Sequence, residues 1–207
     1  MANQARWYNW LIYRLINPQL KLRLEQYARG RLLDIGCGVQ PYREMAGPFI
    51  DEYVGLDHEE TVHDSGAEQL VGTAYSIPAA DESFDTTLCT DVLEHLEDPM
   101  AAVGETTRVL KPGGHFYHCD MLRPANKIVE SGYYFYLRFC LNFTALLFGS
   151  STSAHGCKEY FINALRMFYS ADEFSDLLRD VGFEEVLSQT MLGGTIGYHR
   201  SMKPLDR

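Results

Sequence analysis

Leu32-Leu33-Asp34-Ile35-Gly36-Cys37-Gly38 is an apolar run that carries an acid near its end and breaks into two glycines one residue apart. A second apolar run, Tyr53-Val54-Gly55-Leu56, leads to Asp57, twenty-one residues past Gly36. A strand, a glycine turn and an acid at the tip of the next strand are the parts with which a Rossmann-type sheet holds an adenosine-bearing ligand. The turn departs from the dinucleotide form G-x-G-x-x-G. It continues Val39-Gln40-Pro41, so no third glycine brings a helix close under a pyrophosphate. Asp34 would repel a pyrophosphate, whereas a ligand carrying positive charge gains from it.

Outward from this stretch the chain alternates strands and helices. Residues 6–28 read as a helix broken or kinked at Asn17-Pro18, ending near Gly30. Arg31–Ile35, Glu52–Leu56, Glu68–Val71, Phe84–Cys89 and Gly114–Cys119 read as strands. A helix from Asp98-Pro99 to Leu110 has its cap and first-turn proline in place and is stopped by Lys111-Pro112-Gly113-Gly114. Ser170-Ala171-Asp172-Glu173 is a capping box, stapled by Tyr169 and Phe174, for a helix ending at Gly182. Phe183–Ser188 and Gly194–His199 close the chain as a strand pair. Residues 121–168 break the alternation and are dense in Tyr and Phe; they read as a helical insertion on the ligand side of the sheet. The expectation is one α/β domain, a doubly wound parallel sheet with an antiparallel edge. Its parts are a helical lid (1–28), a ligand-binding core (29–120), a substrate-side insertion (121–168) and a closing helix with two strands (169–207).

The 207 residues are 46% hydrophobic and 22% charged, ordinary for a globular chain. A formal charge of −10 argues against a phosphate-backbone binder, so no nucleic-acid partner is expected. The first 31 residues nevertheless hold six basic side chains against Glu25 alone, together with Trp7 and Trp10. They read either as a lid over the site with peripheral membrane contact or simply as a helix packing on the sheet. Five cysteines with no C-x-x-C pair suit a reducing cytoplasm. The most apolar stretch, residues 135–149, is interrupted by Arg138 and Asn142 and is too short to span a bilayer.

Four motifs stand in register: Leu32–Gly38, Asp57, Phe84-Asp85 through Thr90-Asp91-Val92-Leu93-Glu94-His95-Leu96-Glu97-Asp98-Pro99, and Arg108-Val109-Leu110-Lys111-Pro112-Gly113-Gly114. Together they resemble the class I S-adenosylmethionine-dependent methyltransferases. The tail, from Tyr160-Phe161 through Gly182-Phe183 to His199 and Lys203-Pro204, is more loosely similar to the ubiquinone/menaquinone C-methyltransferase branch. The resemblance implies a seven-stranded sheet of order 3-2-1-4-5-7-6 with strand seven antiparallel, S-adenosyl-L-methionine as cofactor, and a small aromatic or lipophilic acceptor. It assigns backbone contacts to Gly36, Cys37 and Gly38, the ribose hydroxyls to Asp57, and the cofactor's methionine part to Cys89 and Thr90. Thr73-Ala74-Tyr75 stands where many relatives have Gly-Asp-Ala, so a hydroxyl replaces the acid at the adenine.

Other residues keep two readings. Asp34 serves the ammonium group through turn amides or a water, or is structural. His58 lies along the adenine or is surface. Tyr42 closes over the cofactor by a cation–π contact. His95 is a general base, with Glu94 the weaker candidate, or makes a structural hydrogen bond. His115 and His118 fall on opposite faces of one strand, which speaks against a metal site. Two rival functions remain: a cofactor-binding module without catalysis, and a nicotinamide-dependent reductase, which Pro41 disfavours.

Overall fold

A computed structural model describes residues 10–59, 69–148 and 162–205. Its sheet has seven strands in the order β3-β2-β1-β4-β5-β7-β6. They are β1 (Arg31–Ile35), β2 (Glu52–Asp57), β3 (Leu70–Val71), β4 (Phe84–Thr90), β5 (Leu110–Met121), β6 (Glu184–Met191) and β7 (Ile196–Met202). β1 pairs in parallel with β2 and β4, and β5 with β4; β7 is antiparallel to both β5 and β6. The helices are α1 (Trp10–Tyr27), α2 (Arg43–Ala46), α3 (Pro99–Val109), α4 (Lys127–Phe148) and α5 (Ala171–Val181). A further helical run occupies 162–167.

Strand alternation sorts the core into two layers. Leu33, Ile35, Val54 and Leu56 face a cluster completed by Val103 of α3 and Phe174, Leu177 and Leu178 of α5. Leu32, Tyr53, Leu88, Tyr117 and Tyr198 face the other side, against Leu20 and Leu24 of α1. Helices thus cover both faces, and the strand ends stay open for a site. Asp98 caps α3, accepting from the Ala101 amide at 3.0 Å, with Pro99 in the first turn. Ser170 and Glu173 form the reciprocal capping box of α5, and Gly182 closes the helix at φ +103°.

Several boundaries differ from the sequence expectation. α1 runs through Pro18 as one helix. α3 stops at Val109, one residue early, because Leu110 already pairs with Phe84; β5 therefore includes the Lys111–Gly113 segment. Gly113 and Gly114 then exchange backbone hydrogen bonds with Lys203, beyond the end of β7. β3 is only Leu70–Val71, and Glu68 lies outside the described residues. β6 extends to Met191, and β7 starts at Ile196, because Gly193 (φ +70°) and Gly194 (φ +93°) make the turn between them. Within the insertion, Met121 still belongs to β5, 122–126 form a loop, and 127–148 and 162–167 are helical, while Trp7, Tyr160 and Phe161 lie outside the described residues. No helix among the described residues is long and apolar enough to cross a membrane.

Candidate active site

The glycine turn sits at the carboxyl end of β1. The Gly36 and Cys37 amides both donate to Leu56 O, at 2.8 and 3.0 Å, folding the turn back onto β2. Gly36 has φ +71°, and a Cβ there would stand 2.4 Å from Val92 of the loop after β4. This is a backbone position only glycine fills without strain. The Gly38 amide donates to Asp57 Oδ2 at 2.9 Å, and the His58 amide to Asp57 Oδ1 at 2.8 Å. Asp57 therefore tethers the turn and orients its own carboxylate at once.

Sequence reasoning missed the support beneath this turn. Gly55 on β2 has no room for a side chain, because a Cβ would meet Gln40 Nε2 at 2.5 Å and Cys37 Sγ at 2.7 Å. Its amide donates to Gln69 Oε1 at 2.6 Å. The glycine inside an otherwise apolar strand was the available signal.

Asp34 is sealed on the α1 side of β1, 1% exposed, and accepts from the Tyr53 hydroxyl rather than from turn amides. Its other oxygen, Oδ1, is buried with no protein partner. Burial, then the nearby Asp57 carboxylate, push it up to about 7 against the lowering effect of the Tyr53 bond. Tyr42 also differs from expectation: it is buried in the α1-side core with Leu20, Ala46 and Tyr53, where its ring is out of reach of solvent. His58 is exposed, its ring 4.0 Å from Asp57. Thr73 and Tyr75 stand exposed in a turn whose Ala74 packs on the core, and the Tyr75 hydroxyl accepts from the Asp98 amide at 3.1 Å. Cys89 is buried and its thiol lifted well above the usual range, first by burial, so it is no nucleophile. Thr90 follows it, half-buried at the strand end.

Across the strand ends lies the loop after β4. The Val92 and Glu94 amides donate to Asp120 at 3.0 and 3.3 Å, and Glu94 Oε2 accepts from the Met121 amide at 2.9 Å. Loop and strand thus clamp each other. Burial, then Asp120, lift Glu94 to about 9, and enclosure with Asp120 lifts Asp91 to about 6. His95, with its side chain 61% exposed, places Nε2 3.5 Å from Glu94 Oε1. Tyr133 of α4 reaches the Met121 sulfur at 3.8 Å, and burial, then Glu94, push its hydroxyl up to about 12.

Glycine backbone, an orphaned buried carboxylate oxygen and several carboxyls held out of their usual range suit a cationic nucleoside. Fold and site together resemble those of the class I S-adenosylmethionine-dependent methyltransferases. A family profile described as a methyltransferase domain matches residues 33–118. Demethylmenaquinone methyltransferase of Clavibacter sepedonicus is 27% identical over 86% of this chain and 75% of its own length. The ubiquinone/menaquinone biosynthesis C-methyltransferase UbiE of Desulfotalea psychrophila is 24% identical over 98% of this chain and 82% of its own length. Among solved structures, a SAM-dependent methyltransferase of Thermotoga maritima shares the fold with a TM-score of 0.60, at 22% identity over 96% of both chains. The chain is similar to class I methyltransferases in sequence and fold, and it is an enzyme that uses S-adenosyl-L-methionine. These findings favour methyl transfer over the nicotinamide and non-catalytic alternatives.

Proposed function

We propose that this methyltransferase acts on carbon of a reduced quinone ring carrying a lipophilic tail. The observation behind this reading is the breadth of the match to demethylmenaquinone methyltransferases, which takes in most of both chains. The aromatic, half-buried setting of Tyr133 and Met121 beside Glu94 and His95 is chemically apt for a flat ring with polar edges.

S-adenosylmethionine, when bound, supplies a sulfonium methyl already activated for displacement. The chain's own residues bind and align. Asp57 accepts from the ribose hydroxyls, and Gly36, Cys37 and Gly38 offer backbone close to the cofactor. Asp34 faces the ammonium group, Cys89 and Thr90 border the methionine part, and Thr73, Ala74, Tyr75 and His58 flank the adenine. Tyr42 contributes from below, by bracing the turn. Holding the reacting atoms in line supplies on the order of 7–11 kcal/mol. A quinone ring is electron-poor and a hydroquinone ring electron-rich, so the reduced form is the nucleophile. His95 takes the proton that the hydroquinone gives up. The α1 helix braces the sheet beneath the turn, and residues 121–168 serve as the acceptor side, in a cytoplasmic enzyme.

Anaerobic incubation with labelled S-adenosylmethionine and a short-tailed demethylmenaquinol should yield ring-methylated product by mass spectrometry. Cofactor binding by calorimetry without turnover of the quinol, but with turnover of an amine or phenol, would overturn the acceptor and leave the enzyme class standing.

A further inference from the structure

Behind Asp120 stand two histidines that in-line methyl transfer does not itself require. His118 on β5 lies opposite His199 on β7 in the antiparallel register, and both are fully buried. His118 Nε2 is 2.9 Å from Asp120 Oδ2, the two rings approach Nδ1 to Nδ1 at 3.3 Å, and His199 Nε2 is 3.1 Å from Ala171 O at the start of α5.

The acceptors dictate where the protons sit. A carbonyl oxygen only accepts, so His199 carries its proton on Nε2 and turns a lone pair at Nδ1 toward His118. Burial, then the charge of His118, push His199 down to about 3, which keeps it neutral. His118 must then donate from Nδ1. Its Nε2 faces a carboxylate that already accepts the Val92 and Glu94 amides. Two backbone amides already donating to this side chain hold it as an acceptor, so His118 donates from Nε2 as well and carries the second proton. Phe174 of α5 stacks on the His118 ring, centroids 4.0 Å apart at 23°, and an aromatic face favours a cation. The ionisable groups around the pair are Asp91 and Glu94 on the loop, Cys89 on β4, Cys119 on β5 and His199 on β7.

We propose that His118 and Asp120 are positioning residues for methyl transfer: their buried ion pair, keyed by His199, fixes the Asp91–His95 loop and thereby the Glu94 and His95 side chains at the acceptor. The pair itself stands on its geometry; its use at the acceptor rests on the site proposed above. A buried pair adds little net stability, since both charges leave water. What it supplies is direction, two loop amides on one oriented carboxylate.

The test uses the full chain saturated with S-adenosylhomocysteine. Nitrogen-15 NMR of labelled histidines should find His118 protonated on both ring nitrogens and His199 as the neutral Nε2–H tautomer. Asp120→Asn should strip the second proton from His118. It should also speed hydrogen exchange at the Val92 and Glu94 amides about tenfold relative to Leu88. With short-tailed demethylmenaquinol, His118→Phe should lower kcat about tenfold without changing the Kd for S-adenosylhomocysteine. His118→Gln, whose amide can donate where Nε2 stood, should recover part of that loss. A singly protonated His118 in the unmutated chain, or loop amides indifferent to Asp120→Asn, overturns the proposal. A quinol that is never methylated while both NMR results hold overturns the acceptor reading and leaves the ion pair and its grip on the loop supported.

Discussion

Burial is the main cause lifting Asp34 to about 7, with Asp57 adding to it and the Tyr53 hydroxyl opposing it. The unfolded value is 3.8. The native state therefore binds this proton more tightly, and stability falls as pH rises between the two values. Replacing the carboxyl removes that cost while keeping an acceptor for Tyr53. Asp34→Asn should accordingly raise the melting temperature of the free protein near pH 8, relieving a cost of about 2–4 kcal/mol. The same change should weaken S-adenosylmethionine binding about ten- to a hundredfold by calorimetry, because a buried carboxylate facing an ammonium group is lost. Greater stability with undiminished affinity would remove Asp34 from the cofactor contacts. Asp57→Ala differs, because it orphans the Gly38 and His58 amides as well as the ribose. Affinity should drop at least about tenfold and the melting temperature should fall as well, because the carboxylate is largely enclosed and its loss leaves the Gly38 and His58 amides unpaired.

At the scale of elements, legibility follows locality. The capping box of α5 was readable because Ser170 and Glu173 satisfy each other within one turn. Ser170→Ala should cost about 1 kcal/mol in denaturant unfolding, with an unchanged m-value. The start of β5 was not readable, since Lys-Pro-Gly-Gly looks like a stop until Phe84 pairs with Leu110. Pro18 misled in the same way, because packing of Leu20 and Leu24 on the sheet carries α1 past a residue that would break an isolated helix. α3 also does more than cover the core. Arg108 donates to Ile77 O at 2.9 Å and Ala79 O at 3.0 Å, while Glu105 accepts from the Ile77 amide at 2.8 Å. These bonds hold the turn that carries Thr73–Tyr75. Arg108→Ala should therefore weaken S-adenosylmethionine binding a few-fold as well as lower stability, and unchanged affinity would detach that turn from the adenine end.

Across the whole molecule, acidic groups gather where β1, β2, β4 and β5 end: Asp34, Asp57, Asp91, Glu94 and Asp120. Asp34 and Asp57 were legible because each closes a local apolar run. The chain His199–His118–Asp120 was not, because it depends on antiparallel pairing between positions 81 residues apart. The sequence reading placed His115 and His118 on opposite faces; what it lacked was the partner strand that gives His118 its use. The collective consequence is electrostatic. Asp34 at about 7, Asp91 at about 6 and Glu94 at about 9 are each held up by burial first and by a neighbouring carboxylate next, Tyr53 aside. As pH rises, these groups ionise and the folded chain accumulates repulsion that a cationic ligand relieves. The thermal stabilisation by saturating S-adenosylmethionine should therefore grow between about pH 5.5 and about pH 8. S-adenosylhomocysteine keeps the ammonium group but lacks the sulfonium charge, so its stabilisation should grow less over the same interval. Added salt should narrow the difference only slightly, because charges this enclosed are poorly screened. Equal, pH-independent shifts for the two ligands would mean that shape and hydrogen bonding, not charge, select the cofactor here.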